Sequence, residues 1–183
     1  MAIHIHDVAQ RTPEWFELRR GRVTASNAEI LLTKGLDDAL ASNDKRFGGN
    51  FYTDRGLTLE PMAVDAYERI YDVSVVQVGF VTNDEYPNAG ASPDGIVGDT
   101  LIEIKCFMDA KHMSIKSIND VPFSVLAQVQ FSMLVCGLPK AHIVLFNPDV
   151  PATDAFKCFE LDASLPTQRN INRKLKVAIQ SQP

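Results

Sequence analysis

The segment Leu101-Ile102-Glu103-Ile104-Lys105-Cys106 constrains this chain most, because it sets an acid and a base inside an apolar strand. Alternation along a strand puts Glu103 and Lys105 on one face and Ile104 on the other. Buried charges persist only when paired, hydrogen-bonded or bound to a metal. The strand therefore predicts a fold that closes around a polar site. Upstream, Ser92-Pro93-Asp94-Gly95 has turn chemistry and leads into a short strand. If the two strands pair as a hairpin, Asp94 comes beside Glu103. Two carboxylates at one point suit a hard cation, Mg²⁺ or Mn²⁺. A neighbouring lysine can orient or deprotonate water, or neutralise charge developing on a phosphorus centre.

Other residues could join this site. Glu60, in Gly-Leu-Thr-Leu-Glu, is either a helix acid favoured by the dipole or an outer or direct ligand of the same cation. Gln128 and Gln130 lie in an otherwise apolar helix, and residues two apart do not share a helix face. At most one of them points into a site, and a glutamine there can equally satisfy a neighbouring backbone group. Arg19, Arg20 and Arg22 precede Thr24 and Ser26. Arginines beside hydroxyls make a phosphate cradle, and the alternative is a solvated basic turn. Trp15 is read as core, with a base-stacking platform as the second reading.

The order of elements follows from punctuation and periodicity. Thr12-Pro13-Glu14 reads as an N-cap, an N1 proline and a first-turn acid, with the helix ending at Gly21. A second helix is expected from about Thr24 to Thr33. Ser42–Asn50 reads as a polar, glycine-containing insertion. Tyr52–Tyr71 has helical periodicity, and Pro61 within it predicts a kink or a late start. Val73–Val81 is β-branched and reads as a strand. Pro87–Gly90 reads as a turn and Ala110–Ser117 as a helix. Pro122–Cys136 reads as a longer helix stopped by Gly137-Leu138-Pro139. Ala141–Phe146 and Phe156–Leu161 read as strands. Leu165–Ile179 reads as a basic amphipathic helix whose Arg169, Arg173, Lys174 and Lys176 form a solvated face or line a path for a polyanion, the solvated face being favoured. The sum is an α/β (α+β) chain with a central mixed sheet flanked by helices.

Composition narrows the function classes. The chain has 183 residues, 45% of them apolar, which suits one domain over residues 1–183 with a full core. No apolar run approaches the ~18–20 residues of a membrane span, and the first residues carry no secretory pattern. A soluble, cytoplasmic protein is the expectation. The net charge of −5 argues against binding nucleic acid by bulk positive charge. It leaves open a metal-dependent nuclease that makes local phosphate contacts. Cys106, Cys136 and Cys158 are widely spaced with no Cys-x-x-Cys, which argues against a disulfide framework or a structural zinc site.

Four segments taken together, in order, carry a resemblance. These are Pro13–Ser26 (PEWFELRRGRVTAS), Gly56–Tyr67 (GLTLEPMAVDAY), the pair AGASPDGIV and LIEIKC, and LAQVQFSMLVCG. The sequence resembles the phage lambda exonuclease family of viral recombination nucleases, within the PD-(D/E)xK superfamily, from about Pro13 to Phe146. The resemblance implies a restriction-endonuclease-like core. It also implies a Mg²⁺-dependent 5′-to-3′ exonuclease acting on ends of linear double-stranded DNA and leaving 3′ single-stranded tails for an annealing protein. By position, Asp94 and Glu103 would ligate one or two Mg²⁺ ions (Mn²⁺ as a substitute), with the Ile104 carbonyl as a further ligand and Glu60 in support. Lys105 would position or activate water, and Gln128 would wall the site. Arg19 and Ser26, with Arg20 and Thr24 nearby, would hold a 5′-terminal phosphate. A homotrimer is implied. The alternatives are an endonuclease or repair nuclease on the same core, and a catalytically silent DNA-binding protein.

Overall fold

The computed structural model describes residues 2–43 and 51–176. In chain order the elements are β1 (Ile3–His6), α1 (Pro13–Arg19), β2 (Val23–Thr24), a 3₁₀ turn (Ala25–Asn27), α2 (Ala28–Thr33), α3 (Leu36–Asn43), α4 (Phe51–Tyr71), β3 (Phe80–Asn83), β4 (Ala89–Gly90), β5 (Gly95–Val97), β6 (Thr100–Lys105), α5 (Asp109–Ser114), a second 3₁₀ turn (Ile118–Asp120), α6 (Phe123–Cys136), β7 (Lys140–Phe146), β8 (Phe156–Asp162) and α7 (Leu165–Lys176).

The main sheet has the order β5-β6-β7-β8. Its central pair, β6 and β7, is parallel, while both outer pairs are antiparallel. The parallel pairing requires a crossover, which α5 and α6 supply. Two small sheets flank it: β1 with β3, antiparallel, and β2 with β4, parallel. Each face of the main sheet has its own core. Leu101, Ala141, Ile143 and Leu145 pack with α6, α2 and α7. Ile102, Ile104, Val144 and Phe146 pack with Leu59, Ala63, Val64 and Tyr67 of α4. The strand period thus sends Glu103 to the α6 side. α6 is apolar nearly all round, which fits a helix enclosed by other elements. Gly137 ends it in the left-handed region at φ 65°, where glycine carries no Cβ penalty.

Several boundaries differ from those expected. Thr24 pairs in β2 and a 3₁₀ turn follows, so the second helix starts only at Ala28. Among the described residues, Val73–Gly79 makes only the single bridge Val76↔Ile96, and the strand expected over Val73–Val81 begins only at Phe80. α4 runs from Phe51 with Pro61 inside it, so the late start does not occur. Of the expected insertion Ser42–Asn50, Ser42 and Asn43 belong to α3, and 44–50 lie outside the described residues. α7 packs by Ile171 and Leu175, and Lys176 reaches Glu85 at 3.7 Å. Residues 177–179 of the expected last helix lie outside the described residues. Among the described residues no helix is long and apolar enough to cross a membrane.

Candidate active site

β5 and β6 pair in the register Gly95↔Ile102, Ile96↔Leu101 and Val97↔Thr100. One further step along that register sets Asp94 against Glu103. Gly95 is required for close approach: a Cβ there would lie 2.1 Å from Val75 Cγ1. The Ile104 amide donates to Asp94 Oδ2 at 2.6 Å and fixes the carboxylate at the end of the turn. Glu103 is 1% exposed, so its charge needs partners. Its Oε1 accepts from Lys105 Nζ and from Gln128 Nε2, each at 2.5 Å. Lys105 Nζ also donates to Gln128 Oε1 at 3.3 Å, closing a triangle between β6 and α6. Glu103 Oε2 is buried and has no partner among the described residues.

The electrostatics of this group are strained. Burial, then repulsion from Glu103 and Glu60, pushes the Asp94 carboxyl well above its ordinary pKa, against the pull of Lys105 and the Ile104 amide. Burial also raises Glu60, with Glu103 adding repulsion and Arg11 and Lys105 opposing it. Burial works to lower Lys105, but Glu103 and Asp94 outweigh it and raise its pKa, so the ammonium is held charged. These carboxylates fit a cation: an orphaned buried oxygen and raised proton affinities are what a hard divalent ion would relieve. Among the described residues no three carboxylate, imidazole or thiol groups gather to hold an ion by themselves. Asp94 and Glu103 therefore need a backbone oxygen or water to complete a shell, and Glu60 suits the outer position.

A cleft of about 690 Å³ opens over this centre and is lined by Glu60, Asp94, Glu103, Ile104, Lys105 and Gln128. Trp15, Arg19 and Ser26 line the same cleft. Thr12 caps α1 by accepting from the Trp15 amide, which sets Trp15 and Arg19 on the inward side of the helix. The Arg19 guanidinium lies 4.2 Å from the centroid of the Trp15 ring. It donates to Thr24 Oγ1 at 3.1 Å, and Thr24 Oγ1 and Ser26 Oγ are 3.1 Å apart. Burial brings the Arg19 pKa down to about 10, so it remains charged at neutral pH. Trp15 Nε1 donates to Ser92 Oγ at 2.9 Å and to the Gly79 carbonyl at 3.1 Å. That bond ties the basic corner to the turn carrying Asp94. Trp15 is thus both core, 5% exposed, and a wall of the cleft.

The structure gathers most of the residues that the sequence nominates, but Thr24 is buried behind the cleft on Arg19, and Arg20 is set apart. Arg20 points outward and pairs with Glu17 at 2.7 Å, and it does not line the cleft. The i, i+3 pairing one turn back holds it on the solvent face. Gln130 is turned to the other face of α6, where it bonds the Asp162 carbonyl and the Ser164 amide. Among the polar residues lining the cleft, Gln10, Arg11 and Lys111 were not nominated from the sequence, and Ser92 was read only as part of its turn. Gln10 and Arg11 carry no pattern that marks them.

The chain also resembles known proteins. A model of the YqaJ-like viral recombinase domain matches residues 14–139. The alkaline exonuclease LHK-Exo from Laribacter hongkongensis is 28% identical, with a TM-score of 0.79 over 92% of this chain and 91% of that one. The same enzyme solved in complex with dAMP gives 28% and 0.80, with the same shares of each chain covered, 92% and 91%. A phage-related exonuclease from Haemophilus somnus 129PT shares the fold, at 14% identity and a TM-score of 0.67 over 90% of this chain and 95% of that one. No curated protein sequence matches the chain.

Proposed function

The chain belongs to the family of YqaJ-like viral recombinase domains, and on that premise we propose that it is a metal-dependent exonuclease that degrades one strand of linear duplex DNA from its 5′ end. The observation that carries this reading is one cleft lined by Asp94, Glu103, Lys105 and Gln128 and also by Arg19 and Ser26, which Thr24 links from behind. LHK-Exo, solved with a deoxynucleoside monophosphate, supports a nucleotide-sized occupant of such a cleft.

Each residue has a physical task. Arg19 and Ser26 bind the terminal 5′-phosphate and so set the register of the strand. Asp94 and Glu103, with Glu60 behind them, would hold Mg²⁺, with the Ile104 carbonyl as the backbone ligand. When bound, the cation polarises the scissile phosphate and neutralises the charge that develops on it. Lys105 keeps an ammonium at the site; it orients the attacking water and faces the same developing charge. Gln128 fixes the rotamers of both Glu103 and Lys105 through its two bonds. The 3′-tailed product suits a strand-annealing partner, and a ring of copies around the duplex, a homotrimer, would keep the enzyme on its strand.

The test is digestion of a linear duplex phosphorylated at one 5′ end only, with Mg²⁺ or with EDTA, beside a closed circular duplex. Loss from the phosphorylated end in Mg²⁺ alone, with the circle intact, is expected. Lys105→Ala should lose about 10³-fold in rate while still binding DNA. Arg19→Ala should mainly shrink the preference for the phosphorylated end, by roughly tenfold or more. Cleavage of the circle would make the protein an endonuclease on the same core. No cleavage by a folded wild type that binds DNA would make it a silent scaffold.

A further inference from the structure

A second cleft of about 480 Å³ meets the first at the carboxylates. It is lined by Asp7–Arg11, Gln77–Gly79, Leu57, Glu60 and Asp94, and shares Gln10, Arg11, Leu57, Glu60 and Asp94 with the first. Arg19 and Ser26 line only the first cleft. Asp94 and Glu60 therefore belong to both spaces, the Arg19 corner to the first alone, and Arg11 lies where the two meet.

Arg11 is held in an unfavourable conformation. Its φ is 70°, in the left-handed region that L side chains avoid and glycine enters freely. Strain of this kind persists where its surroundings enforce it, and it concentrates at functional positions. The surroundings here are rigid. Gln10 Nε2 donates to the Val78 carbonyl at 3.1 Å and to the Pro93 carbonyl at 3.4 Å. The Val8 carbonyl lies 2.0 Å from where a Cβ on Gly79 would be, so the loop is seated directly on that glycine. The Arg11 backbone is thus locked to the turn that bears Asp94. Its side chain is exposed at the cleft and makes no hydrogen bond or ion pair among the described residues, and its charged neighbour is Glu60, whose carboxyl it pulls down against burial.

We propose that Arg11 binds the phosphate that follows the scissile one, and that the second cleft carries the strand away from the cut. The inference rests on the nuclease reading above. A strand with its 5′-phosphate at Arg19 and its scissile phosphate at Asp94 and Glu103 must continue past the carboxylates. The second cleft continues from Asp94 without the Arg19 corner, and a guanidinium on a fixed backbone at its mouth matches a phosphodiester by charge and by its paired donors.

The test uses Arg11→Gly, which relieves the φ strain and so does not threaten folding, and Arg11→Lys, which keeps the charge. The substrate is a 5′-phosphorylated duplex carrying either a normal or a methylphosphonate linkage immediately 3′ of the first scissile phosphate. With Ca²⁺ in place of Mg²⁺, Arg11→Gly should weaken binding roughly tenfold and lower the slope of log K against log salt by about one. The methylphosphonate should weaken wild type by a similar factor and Arg11→Gly hardly at all. Arg11→Lys should recover part of the loss, and preference for the phosphorylated end should stay as in wild type. Equal sensitivity of wild type and Arg11→Gly to the methylphosphonate would overturn the proposal. So would a loss in Arg11→Gly confined to affinity for Mn²⁺ measured without DNA, because Arg11 would then serve only as a counter-charge to Glu60. Failure of the nuclease reading would show separately, as a wild type that neither binds nor cuts the unmodified duplex.

Discussion

Helix α4 carries a polar cluster in each half, and the two are built in opposite ways. In its first half Glu60 faces Asp94 and Glu103, whose charges burial and mutual repulsion leave poorly compensated. In its second half Tyr67 and Tyr71 pack against His142 of β7. The Tyr67 hydroxyl and His142 Nδ1 are 2.7 Å apart, and the Tyr71 and His142 rings lie 5.6 Å apart. No buried polar atom of that second cluster lacks a partner, whereas Glu103 Oε2 does. Neutral atoms elsewhere, His112 Nδ1 and Ser132 Oγ among them, are also unpartnered, as is Nε of Arg55, whose other two nitrogens are both paired. Glu103 is the carboxylate in that set, and an orphaned anionic oxygen is the costlier one. Satisfied polarity holds this fold together, and unsatisfied negative charge marks where a ligand belongs.

The sharpest way to break that contrast is Glu103→Gln. The amide keeps the shape and can still accept from Lys105 and Gln128, but it removes the charge. Cleavage of linear duplex should fall by about 10³-fold or more. Melting in EDTA should hold or rise, since repulsion on Asp94 and Glu60 is relieved. A melting temperature well below wild type in EDTA would instead make Glu103 a structural carboxylate like any buried ion-pair partner.

The second prediction concerns the cation. The raised folded-state pKa values of Asp94 and Glu60 favour their protonated forms. Their contribution is therefore present below the unfolded carboxylate range and is lost as pH rises through the folded values. In EDTA the protein should lose stability on that rise. Mg²⁺ at a hundred times its dissociation constant should restore about 2.7 kcal/mol at neutral pH. Calorimetry of wild type against Asp94→Asn checks this, and an equal Mg²⁺ response in both would place the ion elsewhere.

How much of this was legible beforehand depended on whether the signal was local. Alternation in β6 and the turn at Asp94 fixed Glu103, Lys105 and Asp94, because pairing register is a short-range consequence of sequence. The spacing of Gln128 and Gln130 showed that only one could face the site, though not which one. Trp15's bond to Ser92 spans 77 positions, and no local pattern encodes such a contact. The left-handed backbone of Arg11 was invisible for a related reason: the loop around it is set by contacts with Val78, Gly79 and Pro93. Val73–Gly79 had strand chemistry, but strands need partners, and β5 offers it only one bridge.

The smallest effect belongs to the satisfied cluster, and its sign in acid is opposite to that of the carboxylates. Tyr67→Phe removes one hydrogen bond to His142 and should cost about 1 kcal/mol while leaving cleavage unchanged. Burial holds the His142 pKa below its ordinary value, although Glu160, 4.0 Å from Nε2, pulls the other way. The remaining neighbours, Tyr67 and Tyr71, stay neutral: burial pushes the Tyr67 hydroxyl up to about 12 and raises Tyr71 further. With a depressed folded value, the contribution of His142 is intact above the unfolded imidazole pKa and is lost as pH falls through the folded one. His112, also lowered by burial, adds in the same direction. Wild type should therefore weaken on acidification below neutrality, and His142→Gln should weaken less steeply because one of the two imidazoles is gone. Mg²⁺ should not change that acid-side slope, since the ion acts at the other half of α4. A slope that Mg²⁺ did alter would mean that the two halves of the helix are energetically coupled, and the division between a satisfied scaffold and a charged site would fail.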